Sequence, residues 1–177
     1  MVELLTPRLS LRPFQGGDLP RLLEAMNDWA VQQWLDTPSY PYGAENGEAW
    51  IDKSGREHAE GQPATFAIAA RSDDCLLGCI GQERNGETVT LGYWLHTAAW
   101  GQGFATEAAQ AYLAYCRERL HMAHLTAFTD PENAASWRVL EKIGFRHQGH
   151  EARCEPTRRG SATWRRFEWR EEVPAAT

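Results

Sequence analysis

The sequence lacks the features of a metal site, a membrane segment or a secreted protein. None of its cysteines forms a CxxC pair, and the pairs His121/His124 and His147/His150 have no carboxylate or cysteine partner in a recognisable metal-binding pattern. No apolar stretch reaches about 18 residues, and no apolar run follows a basic start. We therefore expect no metal, no membrane association and a reducing, cytoplasmic compartment. Reduced thiols are expected at Cys75, Cys79, Cys116 and Cys154.

Positive charge is also scarce. The chain has 18 Lys and Arg against 24 Asp and Glu, a formal net charge of −6. A nucleic-acid-binding protein usually has a basic face, whereas the one basic cluster here is Arg158-Arg159 with Arg165-Arg166. We predict no nucleic-acid partner, and an acidic body fits an amine substrate better. The length of 177 residues predicts a single domain over residues 1–177.

The first 60 residues predict one strand followed by helices. Within residues 4–14, apolar and polar side chains alternate from Arg8 to Arg12, which indicates a half-buried strand. Asp18 is a good N-cap for a helix whose apolar residues follow at helical spacing, and a short helical piece is expected over 29–35. Two prolines and a glycine make residues 37–43 a loop, and residues 44–60 are compatible with a helix.

The rest of the chain predicts a meander and then strand–helix–strand units. Apolar strands are expected at 64–70, 75–83 and 88–95, with Asn85-Gly86 as a favoured hairpin turn. Helices follow at 103–120 and 133–143, and further strands at 124–129, 145–153 and 162–171. Asn133 is expected to cap the second helix and Gly144 to end it. This order predicts an α/β domain with a mixed sheet.

The segment Trp100-Gly101-Gln102-Gly103-Phe104-Ala105 follows a strand and opens a helix. Glycines let the backbone turn tightly there, and the free N–H groups of a helix start can bind an anion such as a pyrophosphate. A dinucleotide loop needs a third glycine where Thr106 stands, and a Walker loop needs Gly-Lys-Ser/Thr, so both are excluded. On this pattern alone, an anion site and a helix start with two convenient glycines are equal alternatives.

Five segments in order resemble the GNAT superfamily of acetyl-CoA-dependent N-acetyltransferases, and more narrowly its RimJ/RimL-type branch. The likeness covers nearly the whole chain. It is carried by residues 6–14 with Asp18, Pro41-Tyr42 ahead of Trp50-Ile51, residues 77–81, residues 91–95 running into 100–108, and residues 133–145. The resemblance implies a mostly antiparallel sheet flanked by helices, whose central parallel strands splay apart to form a CoA cleft. It also implies direct acetyl transfer to a primary amine, on a protein N-terminus or a small molecule.

The same resemblance implies acetyl-CoA or CoA as co-substrate and no metal. The strand ending near Leu95 would bind the pantetheine arm along its edge, and the N–H groups of residues 101–106 would hold the pyrophosphate. Asn133 and the helix after it would form the other wall. The implied cofactor-binding residues are Trp94, Leu95, Trp100, Gly101, Gln102, Gly103, Phe104, Ala105, Thr106, Asn133 and Ser136.

The catalytic groups are less uniform across the superfamily. Many members place a tyrosine in the helix before the Gly-Phe pair, but Leu140 occupies that position here. The RimJ/RimL-type branch implies Ser136 as a hydrogen-bond donor to the sulfur; the alternative is a serine that only bonds backbone groups. Glu83 is the candidate base, and the alternative is a solvated hairpin carboxylate, with water removing the proton. A backbone N–H near Trp94 or Leu95 would stabilise the oxyanion.

The acceptor side is predicted from aromatic residues between the first strand and the meander. Tyr40 and Tyr42 lie in a loop and, with Glu83, are candidates for the amine site because aromatic faces attract cations. Trp29 and Trp34 in the same segment are more simply explained by core packing. The missing helix tyrosine keeps open a second function, a non-catalytic CoA-binding sensor domain. Either a monomer or a homodimer fits the sequence.

Overall fold

The computed structural model describes residues 2–61, 65–153 and 155–171, which contain an eight-stranded mixed sheet. The sheet order is β1-β2-β3-β4-β5-β6-β8-β7. Every neighbouring pair is antiparallel except β5 and β6. The strands are β1 (Leu4–Leu5), β2 (Leu9–Arg12), β3 (Thr65–Ala70), β4 (Leu76–Asn85), β5 (Thr88–Leu95), β6 (His124–Thr129), β7 (Arg146–Ala152) and β8 (Thr163–Arg170).

Helices flank the sheet on both faces. Successive residues of β3 belong to different buried clusters, so the two clusters lie on opposite faces. One cluster packs against α4 (Phe104–Glu118) and α5 (Ala134–Lys142) and includes Ile80 and Tyr112. The other packs against α1 (Leu19–Met26) and α3 (Ala44–Ala59) and includes Leu22 and Met26. The predicted mixed, mostly antiparallel sheet with flanking helices is confirmed. The short helix α2 (Trp29–Gln32) follows α1.

The two central parallel strands diverge along their length. Within the described residues, β5 and β6 are paired at only two positions, Thr90 with Thr126 and Leu91 with Ala127. The Oγ1 atoms of Thr90 and Thr126 lie 3.1 Å apart at the base of the divergence. Both strands continue past these pairs without further pairing, which leaves an open wedge between them. The predicted splay of the parallel strands is therefore confirmed.

The N-terminal strand differs from the prediction. Residues 4–14 form two short strands, and all four residues of β2 are buried rather than alternately exposed. Asp18 is the N-cap residue of α1, as predicted, but its side chain accepts no hydrogen bond from the first N–H groups of that helix. Its carboxylate accepts hydrogen bonds from the Arg12 guanidinium at 2.8 and 3.0 Å and from the Gln15 N–H at 2.8 Å, while Arg12 Nε donates to Asp74 at 2.7 Å. The predicted half-burial of this strand was wrong, because the arginine on its polar side is paired with carboxylates and buried.

The α5 helix begins and ends as predicted. Asn133 is its N-cap, and its side-chain oxygen accepts a hydrogen bond from the Ser136 N–H at 3.1 Å. Gly144 follows the helix at φ +94°, and the Phe145 N–H returns to the Leu140 carbonyl at 3.0 Å. This is the Schellman arrangement, which satisfies the last carbonyls of a helix. The residues that signal the start and the end of this helix all lie within the segment itself.

The loop between β7 and β8 folds back over α2. The N–H of Arg158 donates to the Leu35 carbonyl at 3.1 Å, and its guanidinium donates to Gln32 Oε1 at 2.7 Å. Arg159 pairs with Glu132 at the start of the α5 segment. These contacts account for two residues of the basic cluster noted in the sequence. They also fix this loop on the α1–α3 side of the sheet.

Two further properties concern the described part of the chain. No helix there is both long and apolar enough to cross a bilayer. No group of three or more His, Cys, Asp and Glu side chains in these residues is arranged to hold a metal ion. Cys75, Cys79 and Cys116 are free thiols, whereas Cys154 lies outside the described residues.

Candidate active site

A cavity of about 890 Å³ opens where β5 and β6 diverge. Its walls come from β4, β5 and β6, the turn before α4, the first turns of α5, and the α1–α2 segment with the loop that follows it. The structure therefore gathers residues from distant parts of the chain around one space. The sequence-predicted residues that line it are Glu83, Trp94, Leu95, Trp100, Gly101, Gly103, Phe104, Ala105, Thr106, Asn133, Ser136 and Tyr42.

The turn before α4 depends on two glycines in the left-handed region. Gly101 has φ +74° and Gly103 has φ +81°, a conformation that other residues adopt at a cost. Gly103 is also the N-cap of α4, and it has no side chain to accept a bond from the first N–H groups. The N–H groups of Phe104, Ala105 and Thr106 therefore have no intrahelical acceptor. This arrangement is suited to binding an anion from outside the helix.

Gln102 contributes main chain rather than side chain to this turn. Its side-chain amide donates to the Ala98 carbonyl at 2.9 Å, and the residue does not line the cavity. Its carbonyl accepts a hydrogen bond from Arg8 Nη1 at 2.9 Å. Because the C=O and N–H of a trans peptide point in opposite directions, the Gly103 N–H is turned away from Arg8. Arg8 thus orients the peptide between the two glycines.

Arg8 itself is held by Glu107 in the first turn of α4. Its Nε donates to Glu107 Oε2 at 2.7 Å, and its backbone N–H donates to Oε1 at 2.9 Å. Thr6 Oγ1 donates to the same carboxylate at 2.6 Å. Burial alone would raise the pKa of Glu107, but these hydrogen bonds and the Arg8 charge outweigh it and lower the pKa. Sequence analysis missed Arg8, although it stands in the N-terminal segment that carried the family resemblance.

The edge of β5 that faces the wedge is exposed to the cavity. On its other edge β5 is paired with β4 along its whole length, including Trp94 opposite Cys79 and Leu95 opposite Gly78. The Trp100 indole N–H donates to the Leu95 carbonyl at 2.9 Å, which ties the glycine turn to the end of the strand. The strand edge and the glycine turn are therefore parts of one continuous wall.

Ser136 lies in the first turn of α5, across the wedge from β5. The Tyr93 hydroxyl donates to the Ser136 carbonyl at 2.9 Å and lies 3.0 Å from Ser136 Oγ. Burial raises the pKa of Tyr93, only partly offset by its hydrogen bond to Ser136, so the phenol stays protonated at neutral pH. Sequence analysis did not assign a role to Tyr93. No periodicity signals it, because its partner is 43 residues away.

Glu83 faces the α1–α3 side of the wedge. It lies on the same face of β4 as the buried Cys79 and is registered opposite Thr90, next to the base of the divergence. Its side chain is exposed, and its carboxylate has no hydrogen-bond or ion-pair partner among the residues that the structure describes. A free carboxylate at this position can accept a proton from an incoming amine.

The two loop tyrosines are placed differently from each other. Tyr42 is 6 % exposed, and its hydroxyl donates to the Asn46 carbonyl at 3.0 Å, so it offers mainly its ring to the cavity. Tyr40 is half-exposed and packs edge-on against Trp29, with ring centroids 6.0 Å apart, outside the cavity lining. Trp34, which the sequence assigned to core packing, lines the cavity instead.

Comparison with known proteins agrees with this geometry. The model of the acetyltransferase (GNAT) domain family matches residues 8–146. The uncharacterised N-acetyltransferase YnaD of Bacillus subtilis (strain 168) is 30 % identical over 165 residues, which cover 92 % of each chain.

Solved structures share the fold over almost the whole chain. An acetyltransferase of the GNAT family from Bacillus anthracis superposes with a TM-score of 0.82 at 23 % identity, covering 96 % of this chain and 98 % of that one. RimL, a ribosomal alpha-N-protein acetyltransferase in complex with coenzyme A, superposes with a TM-score of 0.78 at 19 % identity, with the same coverage. The chain thus belongs to the GNAT family of acetyltransferases, and it is an acyltransferase of a family that uses acetyl-CoA.

Proposed function

We propose that this protein transfers an acetyl group from acetyl-CoA directly to a primary amine within the cavity between β5 and β6. One observation carries the proposal. A single cavity contains the glycine turn and Ser136 towards α4 and α5, and the free Glu83 carboxylate towards α1 and α3. The divergence of the two strands joins these sides, so a donor and an acceptor bound on opposite faces can meet there.

The cofactor residues follow from the backbone of the α4–α5 side. The pyrophosphate would bind the free N–H groups of residues 101–106, where the helix dipole also favours negative charge. The pantetheine arm would lie along the open edge of β5 near Trp94 and Leu95, between that strand and the α5 wall that begins at Asn133. RimL, a protein of the same fold, is in complex with CoA in its solved structure, which supports CoA as the ligand.

The reaction requires one bond to form and one to break. The amine nitrogen attacks the thioester carbonyl carbon, the C–S bond breaks, and the electron pair remains on sulfur. Glu83, or water in the open cleft, takes the proton that the amine loses. A β5 backbone N–H near Trp94 or Leu95 would bind the developing oxyanion.

The departing thiolate needs a hydrogen-bond donor. Ser136 Oγ faces the wedge and can donate to it, and Tyr93 lies directly behind this serine. The pKa of the Tyr93 phenol is raised, so its hydroxyl remains protonated. Its one proton can turn from the Ser136 carbonyl to Ser136 Oγ, and this leaves the serine hydroxyl free to donate to sulfur. In this proposal Ser136 and Tyr93 together replace the tyrosine that many superfamily members carry where Leu140 stands.

The test is acetyl transfer by the purified protein. Acetyl-CoA is mixed with small amines, amino acids and short peptides with free N-termini, and free thiol is followed together with mass spectrometry of the acetylated product. We expect thiol release that depends on the amine. Binding of CoA by calorimetry with no acetylated product from any amine would instead support the sensor function, and absence of CoA binding would contradict both.

A further inference from the structure

Arg153 occupies the α1–α3 side of the cavity, just after the end of β7. Its guanidinium carbon lies 4.6 Å from the centroid of the Phe128 ring and 5.2 Å from that of Trp164. Its backbone N–H is bonded to the Ala162 carbonyl at 3.0 Å, across the closing hairpin. Two aromatic rings and the hairpin therefore fix a cation inside the cavity wall.

Strand register places this cation close to the proposed reaction centre. The pairs of Thr90 with Thr126 and Leu91 with Ala127 put Phe128 level with Gly92, one residue before Tyr93. Phe128 shares a face of β6 with Thr126, whereas Ala127 belongs to the cluster on the α4–α5 side. Arg153, packed on Phe128, is thus on the acceptor face of the wedge and at the height of the Tyr93–Ser136 contact.

The N–H donors of this guanidinium form no hydrogen bond with the residues that the structure describes. Asp36 is its ion-pair partner, but Asp36 Oδ2 lies 3.6 Å from Arg153 Nη1, beyond hydrogen-bond length. The other Asp36 oxygen accepts a bond from the Thr37 N–H at 2.8 Å. In the described part of the chain, the Arg153 side chain thus has an ion pair but no hydrogen bond. A planar fork of N–H donors therefore remains available on the cavity side.

The loop that carries Arg153 is held in place. Arg158, in the same β7–β8 loop, donates to Gln32 Oε1 at 2.7 Å, and the Thr157 hydroxyl donates to the buried Asp130 carboxylate at 2.9 Å. These contacts join the loop to α2 on one side and to the end of β6 on the other. The position of the guanidinium relative to the wedge is consequently set by the fold and not by a free loop tip.

The remaining wall of the α1–α3 side is largely apolar and aromatic. Its charged groups include the Arg153 guanidinium, with Asp36 at 3.6 Å, and the free carboxylate of Glu83. An acceptor with an ammonium group, an apolar body and an oxyanion would match all three features. The apolar side chains that line this part are Leu22, Met26, Val31, Trp34, Leu35, Trp50 and Trp164.

We propose that the acceptor is a small amine that also carries a carboxylate, namely an amino acid with an apolar side chain, and that Arg153 binds this carboxylate through paired N–H donors. The proposal rests on the acetyl transfer proposed above. Arginine–carboxylate pairs of this kind are short, charge-assisted and directional, so the pair would orient the amine towards the thioester as well as select the acceptor.

The test compares each amino acid with its own amide. Values of kcat/KM are measured for L-phenylalanine, L-leucine and L-methionine and for the corresponding amides, and the acid-to-amide ratio is the readout. In Arg153→Gln we expect this ratio to fall by roughly 10- to 100-fold, and in Arg153→Lys by less. Arg170→Gln is the matched control, because Arg170 lies on the same hairpin, is 73 % exposed and pairs with Glu168 outside the cavity; its ratio should not change.

Binding of the product separates this inference from the proposed function. Calorimetry with CoA present measures the affinity of N-acetyl-L-phenylalanine and of its amide, which requires no turnover. We expect the wild type to prefer the acid and Arg153→Gln to lose that preference while keeping its CoA affinity. An acid-to-amide ratio that is the same in the wild type and Arg153→Gln would overturn the role of Arg153, even if the amines are acetylated. Preference for the acid without any acetylation would contradict only the proposed transfer.

Discussion

On the α4–α5 side of the cavity the groups available to a ligand are mainly backbone atoms, whereas on the α1–α3 side they are mainly side chains. The first side offers N–H groups at the start of α4 and the open edge of β5. The second offers Glu83, Arg153 and a set of aromatic rings. A backbone site suits a ligand common to a family, because many sequences can build it. A side-chain site can change with few substitutions, which is how relatives can share a donor and differ in acceptor.

The N-terminal segment contacts each side of the cavity through a separate arginine–carboxylate pair. Arg8 bonds Glu107 and fixes the glycine turn, and its side chain is 47 % exposed. Arg12 bonds Asp18 immediately before α1, and both side chains are nearly buried, at 7 % and 6 % exposed. The burial of the two pairs differs, so removal of each pair should have a different cost.

The largest effect is expected from Arg12→Met. It leaves Asp18 buried without its cation, and such a change costs about 3–5 kcal/mol of unfolding free energy. Urea denaturation followed by circular dichroism measures the loss. Arg117→Met is the matched control, since the pair of Arg117 with Glu118 is about half-exposed and should contribute less than about 1 kcal/mol. Equal losses in the two variants would show that burial of the Arg12 pair does not matter.

A smaller effect, on kcat, is expected from variants of Ser136 and Tyr93, which lie where the two sides of the cavity meet. Ser136→Ala should lower kcat by roughly 10- to 100-fold because the thiolate loses its donor, and Tyr93→Phe should lower it by less because it acts through the serine. The double variant should be no slower than Ser136→Ala, since the two residues act as one unit. CoA affinity from calorimetry should change less than kcat in all three. Independent, multiplying losses would contradict a shared role.

The smallest effect is expected from Glu107→Gln. The pKa of Glu107 is lowered in the folded state, so its charge stabilises the fold above about pH 4.5 and this contribution is lost as the pH falls through the lower folded value. At pH 7 the variant should be less stable by about 1 kcal/mol, given the exposed partner Arg8. The two proteins should converge as the pH falls below the lowered folded pKa of Glu107. Melting curves across this pH range test the sign, and a gap that widens in acid would contradict it.

The contrast between the two sides also explains what the sequence could predict. Short stretches of sequence encode the glycine turn and α5 with its Asn133 cap and Gly144 stop. Local sequence patterns were therefore sufficient to predict these elements. Two other contacts depend on the closing hairpin folding over α2. They are the packing of Arg153 on Phe128 and the hydrogen bond of Arg158 to Gln32, which are 126 residues apart. No spacing in one sequence encodes such contacts. The burial of Arg12 was missed for the same reason, because its partners Asp18 and Asp74 lie outside its strand.

The central claim is that the turn at Gly101 and Gly103 binds the pyrophosphate of CoA, and calorimetric titration with CoA of the wild type and two glycine variants tests it most directly. Gly101→Glu and Gly61→Glu are matched, because their φ angles are +74° and +73° and a side chain at either position meets open space. The two variants therefore carry the same charge and similar backbone strain. We expect Gly61→Glu to bind CoA like the wild type and Gly101→Glu to bind at least roughly 100-fold more weakly, because its carboxylate repels the pyrophosphate. Equal CoA affinities in the two variants would contradict the claim.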